Sequence, residues 1–191
     1  MLTKDEIQSI FERTGALLKG HFLLTSGRHG DQYFQCALVL QHPGYTEMLC
    51  RELAARFSGE GITAVVGPAL GGIIVSYETA RALGARGLFA ERENGVMRLR
   101  RGFSLKPGEK VLVVEDVITT GGSVREVIEM VRNLGGEVAG AGVLVDRSSG
   151  AAKLGVRTEA LLTTQAVSCT PGDCPLCKMG IPAVKPGSRE V

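Results

Sequence analysis

The chain alternates between short apolar runs and stretches with apolar residues at helical spacing. "YFQCALVL" (33–40) and "TAVVG" (63–67) read as strands, as do "KVLVVED" (110–116) and "EVAGAGVLVD" (137–146), with "EALLTT" (159–164) as a further candidate. Helices are predicted between them. "YTEMLCRELAARF" (45–57) places Met48, Leu49, Leu53 and Phe57 on one side, Ile73 to Leu83 forms another helix, and a third runs from Ser123 to Leu134, stopped by Gly135-Gly136. At the start, Thr3 and Glu6 have capping-box spacing, and Leu2 can staple onto Ile7. Strands alternating with helices of this length predict an α/β fold, a parallel sheet with helices on both faces.

One segment breaks the rhythm. In "ARGLFAERENGVMRLRRGF" (85–103), Asn94-Gly95 is a two-residue hairpin turn, because both positions tolerate positive φ. If Glu93 pairs with Val96, then Glu91 faces Arg98 and Arg92 faces Met97. An Arg98–Glu91 surface pair is expected, contributing under about 1 kcal/mol. "RLRR" (98–101) reads as a solvated face.

The 191 residues suit a single domain, and 44% hydrophobic with 22% charged residues is ordinary for a globular chain. A net charge of +2 gives no reason to expect nucleic acid. The longest apolar run, about 64–75, is broken by Pro68 and glycines and is too short for a bilayer. Five cysteines with no export signal predict reduced thiols and a cytoplasmic location.

The candidate chemistry lies in "VLVVEDVITTGGSV" (111–124). Ligands of open α/β sheets sit beyond the carboxyl ends of the strands, where Glu115 and Asp116 fall. The loop Thr119, Thr120, Gly121, Gly122 and Ser123 then wraps a helix N-terminus, whose free N–H groups and dipole favour phosphate. Neither a P-loop nor a G-x-G-x-x-G fingerprint is present. Carboxylates suit sugar hydroxyls, so a ribose 5-phosphate satisfies both halves of the motif.

This stretch resembles the signature of the type I phosphoribosyltransferases, which bind phosphoribosyl pyrophosphate (PRPP). "LLTSGRHGDQYFQCALVLQHP" (23–43), "VGPALGGI" (66–73), "VLVDRSSG" (143–150) and "CPLCK...IPAVKPGSR" narrow it to the orotate phosphoribosyltransferases, over nearly the whole chain. The resemblance implies a hood built from about 1–40 and 165–191, a homodimer with a shared active site, and Mg2+ carried on substrate oxygens. It also implies PRPP contacts from Glu115, Asp116, Val117, Ile118, Thr119 to Ser123, Arg92, and the pyrophosphate loop Ala69, Leu70 and Gly71. Orotate would meet Thr119, Arg147, Ser26 and Gly27, and the catalytic set would be Asp116, Glu115 and Arg92. A competing role for Arg147 is a salt bridge to Asp146 or a contact with a helix-end carbonyl.

Three departures from the family pattern stand out. Thr25 replaces a Lys, Gly71 stands where the pyrophosphate loop often has Lys, and the long mobile loop is replaced by the 85–103 hairpin. Only Arg92 matches that loop's start, with Glu93 in place of Lys and Arg100 and Arg101 in reserve. Rival readings are a transferase for another base, such as xanthine or adenine, and a PRPP-responsive regulator. Near the end, Cys174-x-x-Cys177 is half of a zinc site, for which Cys169 is the third candidate ligand. Packed thiols or a disulfide are the alternative there, since all three histidines lie in the first quarter of the chain.

Overall fold

The protein is described from a computed structural model, which covers residues 1–24, 27–164 and 168–185, with only the backbone of Ser168. Helix α1 (Lys4–Arg13) begins with the predicted box: the Glu6 N–H donates to Thr3 Oγ1 at 3.2 Å, and the Thr3 N–H donates to Glu6 Oε2 at 2.7 Å. Strands β1 (Leu17–Leu23) and β2 (His29–Phe34) form a hairpin, followed by α2 (Ala37–Leu40) and α3 (Pro43–Ala55). Next come β3 (Ala64–Pro68), α4 (Gly71–Leu83), β4 (Arg86–Glu93), β5 (Val96–Leu99), β6 (Lys110–Ile118) and α5 (Gly122–Asn133). The chain ends with β7 (Glu137–Asp146), β8 (Thr158–Thr163), β9 (Ser168–Cys169) and the short α6 (Pro175–Lys178).

The main sheet has the order β5-β4-β3-β6-β7-β8, parallel except for the antiparallel β5 edge. Alternate residues of its buried strands face two separate cores. Val65, Leu112, Val114 and Leu144 meet residues of α1 to α4, while Val66, Val111, Val113 and Val143 meet α5 through Val124, Val127, Ile128 and Val131. Helices therefore cover both faces, as the pattern requires. A second, antiparallel sheet, β1-β2-β9, joins the two ends of the chain, and Phe22 bridges to Val184.

Two predictions are corrected. Residues 33–40 are not one strand: β2 stops at Phe34 and Ala37–Leu40 is helical, with Val39 and Leu40 buried against the α1–α4 core. A short apolar run serves a buried helix as well as a strand, and packing decides. Met48 does not share the buried side of α3. It is 43% exposed, whereas Leu49, Leu53 and Phe57 are buried.

The hairpin has the predicted register, Glu93 opposite Val96 and Glu91 opposite Arg98, with positive φ at Asn94 and Gly95. Its ion pairs differ from expectation. Glu91 binds Arg101 at 2.8 Å, and Arg98 lies 3.7 Å from Glu93, which Arg100 also approaches at 3.2 Å. Arg101 sits at φ 57°, a backbone turn that sequence spacing does not reveal. Among the described residues no helix is long and apolar enough to cross a membrane.

Candidate active site

Strand β6 runs two residues beyond the acids, to Ile118, so Glu115 and Asp116 lie just inside its carboxyl end. Glu115 is 9% exposed. Burial first, and then the charge of Asp116, push its carboxyl up to about 9; burial also raises Asp116. The contact between the two carboxyls raises Glu115 further and lowers Asp116. Main-chain donors hold both in place: the Asp116 N–H reaches Glu115 Oε1 at 3.1 Å, and the Val117 N–H reaches Asp116 Oδ1 at 2.8 Å. The pair is thus poised to accept hydroxyl protons or to face positive charge.

Thr119 and Thr120 are exposed immediately beyond the strand, and Gly121 caps α5 at φ 73°. The first helical bond of α5 runs from the Arg125 N–H to the Gly121 carbonyl at 3.0 Å. The N–H groups of Gly122 to Val124 precede it and lie in the first turn, where helix N–H groups lack intrahelical partners and an anion is stabilised. Arg125 braces the loop from behind, with Nη1 donating to the Thr120 carbonyl at 2.7 Å. A side chain at Gly121 would crowd Leu154 Cδ2 at 2.6 Å.

Strand β3 delivers the second loop. Gly67 and Gly72 are packed backbone to backbone, leaving no room for a Cβ at Gly67. The Ala69–Leu70 peptide is cis, and the Ala69 N–H donates to the Ala90 carbonyl at 2.8 Å. At Gly71 any side chain would collide with the Asp116 carboxylate. The loop lies directly against the acid.

Arg147 directly follows strand β7. Its N–H donates to the Ile118 carbonyl at 2.9 Å, which sets Arg147 beside Thr119. Its guanidinium stacks 5.8 Å from the Tyr33 ring of β2, and burial lowers its pKa. Asp146 is occupied elsewhere, accepting from the N–H groups of Ser148 at 2.7 Å and Gly150 at 3.0 Å. Among the described residues Arg147 has no carboxylate partner, so a half-buried cation faces the end of the sheet without a counter-ion.

The family model for the phosphoribosyl transferase domain matches residues 39–155. The orotate phosphoribosyltransferase of Pelotomaculum thermopropionicum is 76% identical over 190 residues, covering 100% of both chains. The chain belongs to the orotate phosphoribosyltransferase family.

A solved orotate phosphoribosyltransferase of this family, from Mycobacterium tuberculosis in complex with PRPP, aligns with a TM-score of 0.66 at 26% identity. The alignment covers 84% of this chain and 95% of that one. An adenine phosphoribosyltransferase from Thermoanaerobacter pseudethanolicus aligns with a TM-score of 0.68 at 16% identity, covering 85% of this chain and 100% of that one. Architecture alone therefore does not choose the base.

The fold gathers Glu115, Asp116, Thr119 to Ser123, Ala69 to Gly71 and Arg147 at one end of the sheet. Arg92 points to α5 instead, in an exposed ion pair. Its Nη1 lies 2.6 Å from Glu126 Oε2 on α5 and 3.1 Å from the Gly95 carbonyl. Gly27 is an exposed turn residue at φ 74°, and Ser26 lies outside the described residues. A groove of about 590 Å3 between β5 and α5 is lined by residues that include Met97, Phe103 and Met130 but neither Glu115 nor Asp116.

Sequence reasoning missed two features. Tyr33, read only as a strand residue, is the platform for Arg147. The Cys174–Cys177 pair is joined by His21 and His29, while Cys169 also contacts Cys174 and its Sγ lies 3.8 Å from the His29 carbonyl. A His-x7-His spacing across a hairpin was the available signal.

Proposed function

We propose that the chain transfers the 5-phosphoribosyl group of PRPP to N1 of orotate, giving orotidine 5-monophosphate and pyrophosphate in pyrimidine biosynthesis. Full-length identity to orotate phosphoribosyltransferases carries the reading. The counter-ion-free guanidinium of Arg147 supports it, since orotate brings a carboxylate that paired N–H donors fit.

In this reading the α5 N-terminus and the Thr119 to Ser123 loop hold the 5-phosphate, and Glu115 and Asp116 hold the ribose hydroxyls. Ala69 to Gly71 offer backbone to the pyrophosphate. Bond breaking at the anomeric carbon leaves positive charge on the ribose, which negative charge at Asp116 favours. The two acids offer few hard oxygen donors, which fits Mg2+ bound mainly by PRPP oxygens. When bound, the ion neutralises pyrophosphate charge. The nucleophile is orotate itself, so no protein nucleophile takes part.

A homodimer and a cytoplasmic location belong to the same proposal. Leu70, Ile74 and Tyr77 are 82%, 43% and 65% exposed and fall on one stripe at the start of α4, beside the pyrophosphate loop. A partner covering that stripe would sit next to the site, where Arg92 of one subunit could reach the pyrophosphate of the other. The test is loss of orotate absorbance with purified protein, Mg2+ and PRPP, with xanthine and adenine in parallel and solution mass measured alongside. PRPP-dependent loss of orotate alone is expected, from a particle of twice the chain mass. Turnover of a purine instead would overturn the base assignment.

The raised Glu115 carboxyl makes a prediction for the ligand-free protein. Its pKa rises from 4.5 unfolded to about 9 folded, so in that window the folded chain binds more protons and loses stability as pH increases. Glu115→Gln removes this loss. Melting should shift upward at about pH 8, by at least the roughly 2–4 °C that 1 kcal/mol gives in a chain of this size. An unchanged or lower Tm at that pH would show that Glu115 is not held protonated.

A further inference from the structure

The C-terminal segment returns to the β1–β2 hairpin and brings four ligand-type atoms together. His21 is in β1, His29 opens β2, and Cys174 and Cys177 flank the first turn of α6. One atom from each lies within 4.8 Å of the other three. His21 Nε2 is 2.7 Å from His29 Nδ1 and 3.3 Å from Cys174 Sγ, and Cys177 Sγ is 3.3 Å from His29 Nδ1 and 3.8 Å from His21 Nε2. A tetrahedron with Zn–N near 2.0–2.1 Å and Zn–S near 2.3 Å has edges of about 3.3–3.8 Å. Three of these four separations fall in that range, and a small parting of the imidazoles brings in the fourth.

The surroundings suit a metal as well. His21 Nδ1 lies 2.6 Å from the Ile181 carbonyl, which can only accept, so that nitrogen carries the proton and Nε2 turns its lone pair inward. The Cys174-x-x-Cys177 turn is built as a knuckle. Pro175 opens α6, the Lys178 N–H donates to the Cys174 carbonyl at 3.1 Å, and the Gly180 N–H donates to the Cys177 carbonyl at 2.9 Å with Gly180 at φ 73°. His21, His29 and Cys174 are buried. None of the four belongs to the substrate machinery.

We propose that His21, His29, Cys174 and Cys177 form a structural zinc site that fastens the C-terminal segment to the hairpin. Two nitrogen and two thiolate donors suit Zn2+ over Mg2+ or Ca2+, and four protein ligands leave no open position for catalysis. The two thiolates balance the charge of the ion, and their protons pass to solvent. Strand β2, anchored by His29 at one end, also carries Tyr33, on which Arg147 rests. The clamp thus supports the base-binding side of the sheet from a distance.

The test begins with the unmodified full-length protein, purified without chelator and assayed for metal by plasma emission. About one zinc per chain is expected. Replacement by cobalt(II) should give the intense visible bands of a tetrahedral thiolate site. Cys177→Ser and His29→Ala should each lower bound zinc and Tm, while Cys169→Ser should retain the metal. Less than about a tenth of a zinc per chain after equilibration with equimolar zinc, with no cobalt bands, would overturn the proposal. So would a Cys174–Cys177 disulfide in freshly purified protein, or metal lost in Cys169→Ser but kept in His29→Ala. These readouts do not depend on turnover, so failure here leaves the proposed reaction standing.

Discussion

Replacing Asp116 by Asn is expected to leave the chain folded and to lower turnover by roughly 10²–10³-fold, the usual effect of deleting one group that meets transition-state charge. The fold should survive because an Asn carbonyl can still accept the Val117 N–H, now 2.8 Å from Asp116 Oδ1, and because the side chain keeps its size against Gly71. What is lost is negative charge. Burial and the neighbouring Asp116 push the Glu115 carboxyl up to about 9, and burial raises Asp116 as well. Asparagine removes one of the two carboxyl groups that face the ribose cation. Steady-state rates, together with the PRPP-induced rise in Tm, check this. A soluble variant with near-normal turnover would remove Asp116 from the mechanism.

The second large effect is expected at Arg147. Arg147→Ala should raise the KM for orotate by roughly 10–100-fold, in line with losing a charge-assisted hydrogen-bonded pair. The KM for PRPP should change far less, since the phosphate loop belongs to β6 and α5. Stability should fall little, because Arg147 makes no ion pair among the described residues and its ring contact with Tyr33 is a weak support. Arg147→Lys should recover only part of the affinity, because an ammonium cannot present two parallel donors to a planar carboxylate. Equal rises in both constants would mean that Arg147 shapes the whole site and does not read the base.

Much of this architecture is legible along the chain because local signals agree. Residues 137–146 form a strand as predicted, bounded by Gly135-Gly136 before and the Asp146-capped turn after. The hairpin register follows from the positive φ available to Asn94 and Gly95. Failures occur where a residue has two uses. Cys36 to Leu40 is apolar enough for a strand, yet it packs as a helix because the α1–α4 core needs Val39 and Leu40. Glu91 has Arg98 opposite it but turns to Arg101, a choice made by side-chain direction and a backbone kink.

The site divides in the same way. The acids and the phosphate loop are contiguous, so spacing exposes them. The platform under Arg147 is not, since Tyr33 precedes it by more than a hundred positions. Cys174 and Cys177 advertise half a cluster, but their histidine partners are brought in only by the closing of the β1-β2-β9 sheet.

The hydrogen bond from Arg147 to Ile118 carries an evolutionary consequence. Ile118 and Asp146 are register partners on β6 and β7, so the loop proposed to hold the sugar phosphate and the loop proposed to meet the base leave the sheet from adjacent rungs. Each can be rewritten while the other keeps its footing. A lineage could trade one nucleobase for another by altering the turn after Asp146, with the older sugar-phosphate grip inherited untouched.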